Sequence, residues 1–131
     1  MKAQQEWIDI AVSALDRAYV PYSHFPVGAC LVSADGAVYQ GINIENASFG
    51  LTNCAERTAF FKAISEGKRD FVHLVVAGHT PAPISPCGAC RQVMAEFCTP
   101  EMPVTLIGDA GVIKETTVGD LLPYSFTNQD L

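Results

Sequence analysis

Basic residues are scarce in this sequence of 131 residues: it has eight Lys and Arg against fourteen Asp and Glu, a formal net charge of −6. Domains that bind nucleic acid through phosphate contacts usually present a basic face, so the charge argues against a nucleic-acid partner. No run of about eighteen apolar residues suits a membrane span, and residues 1–10 contain no signal-peptide pattern. We therefore expect a cytoplasmic protein without a membrane partner.

Internal repeats, low-complexity tracts and linkers are also missing from the sequence. The composition, 49% hydrophobic and 17% charged, predicts one catalytic or binding domain over residues 1–131. Five cysteines are an odd number in a chain with no sign of secretion, which argues against a disulfide framework. Reduced cysteines of this kind are metal ligands, nucleophiles or core residues.

Helix and strand patterns alternate along the chain. Two apolar runs flank the turn Ala34-Asp35-Gly36 and predict a β-hairpin. For the helix over 87–98, Ser85 is the expected N-cap and Pro86 the first helical residue. The order predicts an α/β fold, a three-layer α/β/α arrangement with a mixed central β-sheet of about five strands. Helices are predicted over 3–18, 54–66, 87–98 and 120–122, and strands over 27–33, 37–44, 71–77, 104–107 and 112–118.

Three cysteines lie at the N-termini of two predicted helices, Cys54 at one, and Cys87 with Cys90 at the other. A helix start carries unpaired N–H groups and a partial positive charge, which stabilise a thiolate. Zinc binds sulfur ligands tetrahedrally, and three protein ligands leave a fourth position for water. The pattern predicts a catalytic site with one zinc ion per subunit.

Charged residues follow the cysteines at short spacing. Three thiolates and a divalent ion sum to −3 + 2 = −1, and Arg57 and Arg91 lie within about a turn of a cysteine, where they can offset this charge by hydrogen bonding to sulfur. Glu56 is close enough to exchange protons with water at the metal without ligating it.

Other interpretations of these residues stay open. The C-x-x-C pair alone also occurs in redox motifs. Glu56 could instead complete a capping box that begins at Asn53. Cys30, Cys98 or His24 could supply a fourth ligand, which would make the zinc site closed and structural.

Together, these motifs resemble the zinc-dependent cytidine deaminases, specifically the short-chain homotetrameric class. Cys54 stands where the general signature of zinc deaminases begins with histidine, and this three-cysteine variant is the one that the short class uses. The resemblance extends over nearly the whole chain, through the segments Pro21-Tyr-Ser-His-Phe25-Pro-Val-Gly-Ala29, Asn43-Ile-Glu45-Asn-Ala-Ser48, Asn53-Cys-Ala-Glu-Arg57, Pro86-Cys-Gly-Ala-Cys-Arg-Gln92 and Leu121-Leu-Pro-Tyr-Ser-Phe126.

The resemblance implies a cytidine deaminase-like fold and a hydrolytic activity in pyrimidine salvage. Cytidine and 2′-deoxycytidine would become uridine and 2′-deoxyuridine with release of ammonia. Zinc would be held by Cys54, Cys87 and Cys90, while Glu56 carries protons to N3 of the base and to the departing amine.

Three further positions would bind the nucleoside in this family. Phe25 would pack against the pyrimidine, and Asn43 and Glu45 would hydrogen-bond the ribose 3′-hydroxyl. A carboxylate suits a neutral sugar but repels a phosphate, which favours a nucleoside over a nucleotide. The alternative is that Asn43 and Glu45 only shape a loop and that Phe25 belongs to the core.

The remaining implied contacts involve backbone and the C-terminal tail. The backbone around Ala55 and Ser85 would hold the base edge, and Phe126 would enter a neighbouring subunit's pocket in a homotetramer with shared active sites. Phe126 could instead anchor its own tail. Phe49 stands where many relatives have tyrosine, so any hydrogen bond from that hydroxyl is missing.

Three other functions compete with cytidine deamination. A blasticidin-type deaminase shares the cysteine motifs, but the Asn43-Ile-Glu45 segment favours the nucleoside class. A structural zinc module for protein interaction predicts four protein ligands and no turnover. RNA editing is disfavoured by the net charge.

Overall fold

A single five-stranded sheet organises the chain, of which a computed structural model describes residues 2–131. The spatial order is β2-β1-β3-β4-β5, and only β3 and β4 run parallel, joined by a helical crossover. The other neighbours are antiparallel, so the predicted mixed sheet and hairpin are confirmed. The strands are β1 (Val27–Ser33), β2 (Val38–Ile42), β3 (Phe71–Gly78), β4 (Pro103–Ile107) and β5 (Ile113–Thr117).

Across the described residues four α-helices accompany the sheet, and the predicted long N-terminal helix ends early, passing into a 3-10 turn at Leu15–Arg17. No helix within residues 2–131 has the length and apolar character needed to cross a membrane. The helices are α1 (Gln5–Ala14), α2 (Ala55–Ser65), α3 (Gly88–Phe97) and α4 (Val118–Leu121), and further 3-10 turns lie at Phe49–Leu51, Asp109–Gly111 and Asn128–Asp130.

The predicted start of α3 is wrong in detail. Cys87, not Ser85, is the N-cap residue, and Pro86 precedes the helix. The Ser85 hydroxyl instead accepts a hydrogen bond from Arg91 at 2.6 Å. The helix therefore begins at its first cysteine, which places a sulfur atom at the N-terminus itself.

The helices cover the two faces of the sheet, which confirms the three-layer prediction. Alternate residues of a strand point to opposite faces, and β3 is buried on both, as its apolar run predicts. One core contains Trp7 and Ala11 of α1 and Leu15 of the following 3-10 turn, packed with Cys30, Val32, Val75, Ala77 and Ile107. The opposite core contains side chains of α2, α3 and α4 against Leu31, Leu74, Val76, Val104 and Leu106.

Two strand glycines let helices approach the sheet closely. A Cβ atom at Gly41 in β2 would lie 2.1 Å from the carbonyl oxygen of Ala55 and 2.9 Å from the amide nitrogen of Ala59. A Cβ atom at Gly28 in β1 would lie 2.1 Å from the carbonyl oxygen of Ala11 on the other face. The first turn of α2 therefore rests directly on the backbone of β2.

Candidate metal centre and substrate pocket

Three sulfur atoms meet where α2 and α3 begin. Cys54 and Cys87 are the N-cap residues of the two helices, and neither side chain caps its helix. The Sγ atoms of Cys54 and Cys87 are 3.8 Å apart, those of Cys87 and Cys90 are 3.5 Å apart, and all three lie within 4.8 Å of one another. The predicted cysteine cluster is thus assembled by the fold.

The cluster fits a tetrahedral zinc ion. Metal–sulfur distances of about 2.3 Å require sulfur atoms about 3.8 Å apart. The Cys54–Cys87 distance of 3.8 Å matches this value, and the Cys87–Cys90 distance of 3.5 Å is slightly shorter. Within residues 2–131 only these three ligand atoms form such a group. Cys30 belongs to the core beneath α1, and Cys98 lies beyond the far end of α3. No ring nitrogen of His24 joins the group either, so none of the three candidate fourth ligands from this chain completes the site.

Hydrogen bonding between the thiol groups shifts the pKa values of Cys54 and Cys90 in opposite directions. Hydrogen bonding with Cys90, together with the Arg57 guanidinium, lowers the pKa of Cys54 to about 5. The same contact and burial raise the pKa of Cys90. Three neighbouring thiolates repel one another, so a divalent cation is the natural counter-charge for the fully ionised cluster. Arg57 supplies further positive charge, because its guanidinium donates to Cys54 Sγ at 3.1 Å.

Arg91 departs from its predicted role. Its guanidinium donates to the carbonyl oxygens of Pro86 at 2.8 Å and Leu121 at 2.7 Å and to the Ser85 hydroxyl at 2.6 Å. All three hydrogen bonds end on oxygen rather than on sulfur. Arg91 therefore connects the segment before α3 with the C-terminal tail.

Glu56 is buried in the first turn of α2, with 4% of its surface exposed. Burial raises the pKa of its carboxyl to about 7, and the charge of Cys54 acts in the same direction. The capping-box alternative is wrong, because Cys54 is the N-cap and the Asn53 amide donates to the Thr58 hydroxyl at 3.1 Å. A carboxyl group poised near neutrality can both accept and donate a proton.

Residues 43–45, the segment that is predicted to bind the sugar, run beside the start of α2. Ile44 exchanges two backbone hydrogen bonds of 2.9 Å with Asn53, the residue before Cys54. On the other side, the amide nitrogen of Glu45 donates to the carbonyl oxygen of Tyr19 at 2.9 Å. This short ladder places residues 43–45 next to the start of α2.

Both polar atoms of the Asn43 side-chain amide form hydrogen bonds with the segment that leads into β1. Nδ2 donates to the carbonyl oxygen of Phe25 at 2.8 Å, and Oδ1 accepts from the amide nitrogen of Val27 at 2.9 Å. Asn43 therefore shapes the loop before β1, as the alternative interpretation of this residue predicts. The Phe25 side chain is 45% exposed, which excludes the alternative that it is a core residue.

Comparison with known proteins agrees with this arrangement. A family model described as the cytidine and deoxycytidylate deaminase zinc-binding region matches residues 1–106. The chain belongs to this family. The predicted resemblance is confirmed, and with it the zinc cofactor that the family description names and the cysteine cluster accommodates.

Relatives in this deaminase family match along almost the entire chain. A cytidine deaminase of Sporosarcina psychrophila is 59% identical over 118 residues, covering 90% of this chain and 87% of that protein. One from Halalkalibacterium halodurans is 56% identical over 128 residues, covering 98% and 97%. The crystal structure of a cytidine deaminase from Burkholderia pseudomallei matches with a TM-score of 0.92 at 50% identity, covering 95% of this chain and all of that one.

Glu45, which is predicted to bind the sugar, contacts Ser23, a residue that the motifs did not single out. Glu45 Oε1 accepts from the amide nitrogens of Tyr22 at 3.0 Å and Ser23 at 3.1 Å, and the Ser23 hydroxyl donates to Oε2. Ser23 lies within the Pro21-Tyr-Ser-His-Phe25 motif, so its motif position was the available signal. A cavity of about 350 Å³ opens here, lined by Tyr22, Ser23, Glu45, Phe49 and Thr52.

The C-terminal tail of this deaminase is hydrogen-bonded to α3, the helix that carries Cys90. The side-chain amide of Gln92 donates to the carbonyl oxygen of Phe126 at 2.8 Å, next to the contact of Arg91 with Leu121. The Phe126 side chain is 62% exposed, so it does not anchor the tail in the core of its own chain. Ala55, the other expected substrate contact, is fully buried at the start of α2.

Proposed function

We propose that this chain catalyses the zinc-dependent hydrolysis of cytidine and 2′-deoxycytidine to uridine and 2′-deoxyuridine, with release of ammonia. The observation that carries the proposal is the three-sulfur cluster at two helix starts with a buried carboxyl group beside it. The family, with relatives up to 59% identical that are cytidine deaminases, supports the choice of substrate.

Cys54, Cys87 and Cys90 would hold the ion, and zinc, when bound there, supplies the Lewis acidity that activates water for attack at C4 of the base. Arg57 reduces the excess negative charge of the sulfur ligands through its hydrogen bond to Cys54. Arg91 holds the C-terminal tail through its hydrogen bond to the carbonyl oxygen of Leu121.

Glu56 is the proposed proton carrier. Its carboxylate takes one proton from the attacking water and delivers it to N3 of the cytosine ring. It then takes the remaining proton of the hydroxyl group added at C4 and gives it to the amine, which leaves as ammonia while the C4 carbonyl of the product forms. A pKa near 7 suits both directions of transfer, because neither the acid nor the base form is strongly favoured at neutral pH.

Substrate recognition is assigned to Phe25, Asn43 and Glu45, with the backbone around Ala55 and Ser85 at the base edge. Phe25 offers an exposed ring for the pyrimidine. Glu45, with its pKa lowered mainly by the Ser23 hydroxyl, stays ionised and accepts from a sugar hydroxyl while repelling a 5′-phosphate.

Assembly, location and physiological context extend this proposal. We propose a single catalytic domain over residues 1–131 that forms a homotetramer in the cytoplasm and serves pyrimidine salvage. In the single chain four large apolar residues are exposed to solvent, and their exposure supports their burial by neighbouring subunits. These residues are Phe25, Phe49, Leu51 and Phe126. Phe126 would then complete a neighbour's pocket.

One assay tests the activity. Purified zinc-loaded protein is given cytidine, 2′-deoxycytidine, cytidine monophosphate, free cytosine and blasticidin S, and the reactions are followed by ultraviolet absorbance and ammonia release. We expect turnover of the first two compounds only. Preference for blasticidin S would assign the chain to antibiotic deamination, and a full zinc content without ammonia from any compound would indicate a structural zinc module.

A further inference from the structure

The two side chains assigned to the sugar also hold the peptide that presents Phe25. Asn43 binds the carbonyl oxygen of Phe25 at 2.8 Å and the amide nitrogen of Val27 at 2.9 Å. Glu45 binds the amide nitrogens of Tyr22 and Ser23. The sugar side and the base side of the pocket are therefore parts of one hydrogen-bonded unit.

The Ser23 hydroxyl joins the two sides directly. It donates to Glu45 Oε2 and accepts from the amide nitrogen of Phe25 at 3.0 Å. A carboxylate only accepts and an amide N–H only donates, so the direction of both bonds is fixed. Phe25 is consequently held at its N–H by Ser23 and at its carbonyl by Asn43.

We propose that Ser23 is a positioning residue that sets the Glu45 carboxylate and the Phe25 ring in one geometry and so couples sugar recognition to base packing. The inference rests on the proposed function, because it assumes that Phe25 and Glu45 contact a nucleoside. Ser23 acts through these two residues rather than through the reacting atoms.

Counting acceptor sites shows what this geometry does. An ionised carboxylate has about four lone-pair positions, and three are taken by the amide nitrogens of Tyr22 and Ser23 and by the Ser23 hydroxyl. The position that is left accepts one hydroxyl from the sugar. Without the Ser23 hydroxyl, Glu45 has an additional free site and a freer side chain, and the N–H of Phe25 loses its partner.

The primary test is the steady-state kinetics of Ser23→Ala with cytidine. A lost hydrogen bond to a charged group predicts a KM raised about tenfold, with kcat changed by less than about threefold because the cysteines and Glu56 are untouched. Ser23→Thr keeps the hydroxyl and restores the wild-type KM. Ser65→Ala, which removes an exposed hydroxyl at the end of α2, is the matched control and leaves both constants unchanged.

Ser23→Cys keeps the shape of the side chain, with a slightly larger atom in place of the hydroxyl oxygen, but its thiol is a weak donor. This variant replaces Ser23→Ala should the latter fail to fold, and we expect the same rise in KM. A double-mutant cycle provides the second readout. Ser23→Ala and Glu45→Gln disturb the same unit, so their combined effect on kcat/KM is smaller than the product of the two single effects.

The outcomes separate the two levels of the argument. An inactive wild-type protein overturns the proposed function. A wild type that deaminates cytidine together with a Ser23→Ala variant of unchanged KM overturns the positioning role alone. If the effects of Ser23→Ala and Glu45→Gln on kcat/KM multiply in the double variant, the two residues are not coupled. A loss of activity that is confined to kcat also contradicts the coupling of Ser23 to Glu45.

Discussion

Glu56 is the residue on which the proposed chemistry depends most directly. It is buried beside Cys54 but stands outside the group of sulfur ligands. Glu56→Gln therefore keeps zinc and loses rate by on the order of two to four decades, the usual contribution of a positioned acid or base. The measurement is kcat together with zinc content by atomic spectroscopy.

The control for this variant is Glu66→Gln, which alters an exposed carboxyl at the other end of α2. It should leave the rate and the zinc content unchanged. Normal turnover by Glu56→Gln would remove this carboxyl from the mechanism.

His73 is a buried titratable residue remote from the proposed chemistry. Thr105 gives its hydroxyl proton to Glu115 at 2.7 Å, so the 2.7 Å contact between Thr105 and His73 Nε2 has the imidazole as donor. His73 Nδ1 is buried and has no hydrogen-bond partner within residues 2–131. Burial lowers the pKa of this imidazole, because a second proton would place an unpaired charge in the core.

This imidazole predicts a loss of stability in mild acid. The unfolded chain binds the proton near its ordinary pKa of about 6.5, whereas the folded chain binds it only at lower pH. The contribution to the free energy of unfolding is therefore complete above about pH 6.5 and declines as the pH falls, by at most about 1.4 kcal/mol per unit. Urea unfolding at pH 7.5, 6.5 and 5.5 measures this.

The single tryptophan reports the transition, because the Trp7 and His73 ring centroids are 5.2 Å apart. His73→Gln is the comparison, since it keeps a neutral N–H donor but does not titrate. Its stability should fall less between pH 7.5 and 5.5 than that of the wild type. Parallel pH profiles would show that other groups cause the loss.

At the scale of elements, the contact between β2 and α2 determines where the metal ligands stand. Gly41→Ala would push the first turn of α2 away from the sheet, because the added Cβ lies 2.1 Å from the Ala55 carbonyl oxygen. Cys54 and Glu56 flank Ala55, so we expect lower zinc occupancy and lower kcat in addition to a lower melting temperature.

Gly28→Ala is the matched control, since its Cβ meets the Ala11 carbonyl oxygen at the same distance but under α1, which carries none of the proposed site residues. It should lose thermal stability without losing zinc. Equal zinc contents in the two variants would contradict a positioning role of the β2–α2 contact. Both measurements are made on purified soluble protein.

The elements were largely predictable because their signals are local. The turn residues Ala34 to Gly36 and the flanking apolar runs suffice for the hairpin, and the cysteines mark two helix starts. The contacts of Arg91 and Ser23 were not predictable in the same way. Arg91 binds a carbonyl 30 residues away and Ser23 binds a carboxylate 22 residues away. Such partners are chosen by tertiary packing, which sequence spacing does not encode.

At the scale of the whole molecule, the exposed Phe126 side chain and the tail held by Gln92 predict sharing of sites between subunits. Phe126→Ala and Glu56→Gln would each inactivate, but in different parts of a shared site. Mixed and reassembled, the two proteins should regain part of the activity, because some sites receive Glu56 from one subunit and Phe126 from another.

The experiment requires proof that subunits exchange, for example by mass spectrometry of isotopically labelled chains. Sedimentation equilibrium of each parent protein gives its oligomeric state. Exchange without any recovery of activity would contradict sharing, and a monomeric active wild type would contradict the proposed homotetramer as well.

Two backbone hydrogen bonds between Ile44 and Asn53 hold together the ends of the loop formed by residues 45–52. Phe49 and Thr52 of this loop line the cavity beside Glu45. Segments of different length or composition can therefore replace residues 46–52 between two ends that are hydrogen-bonded to each other, while Glu45 and the cysteines keep their positions. For an engineer seeking altered nucleoside scope, residues 46–52 are the natural place to randomise.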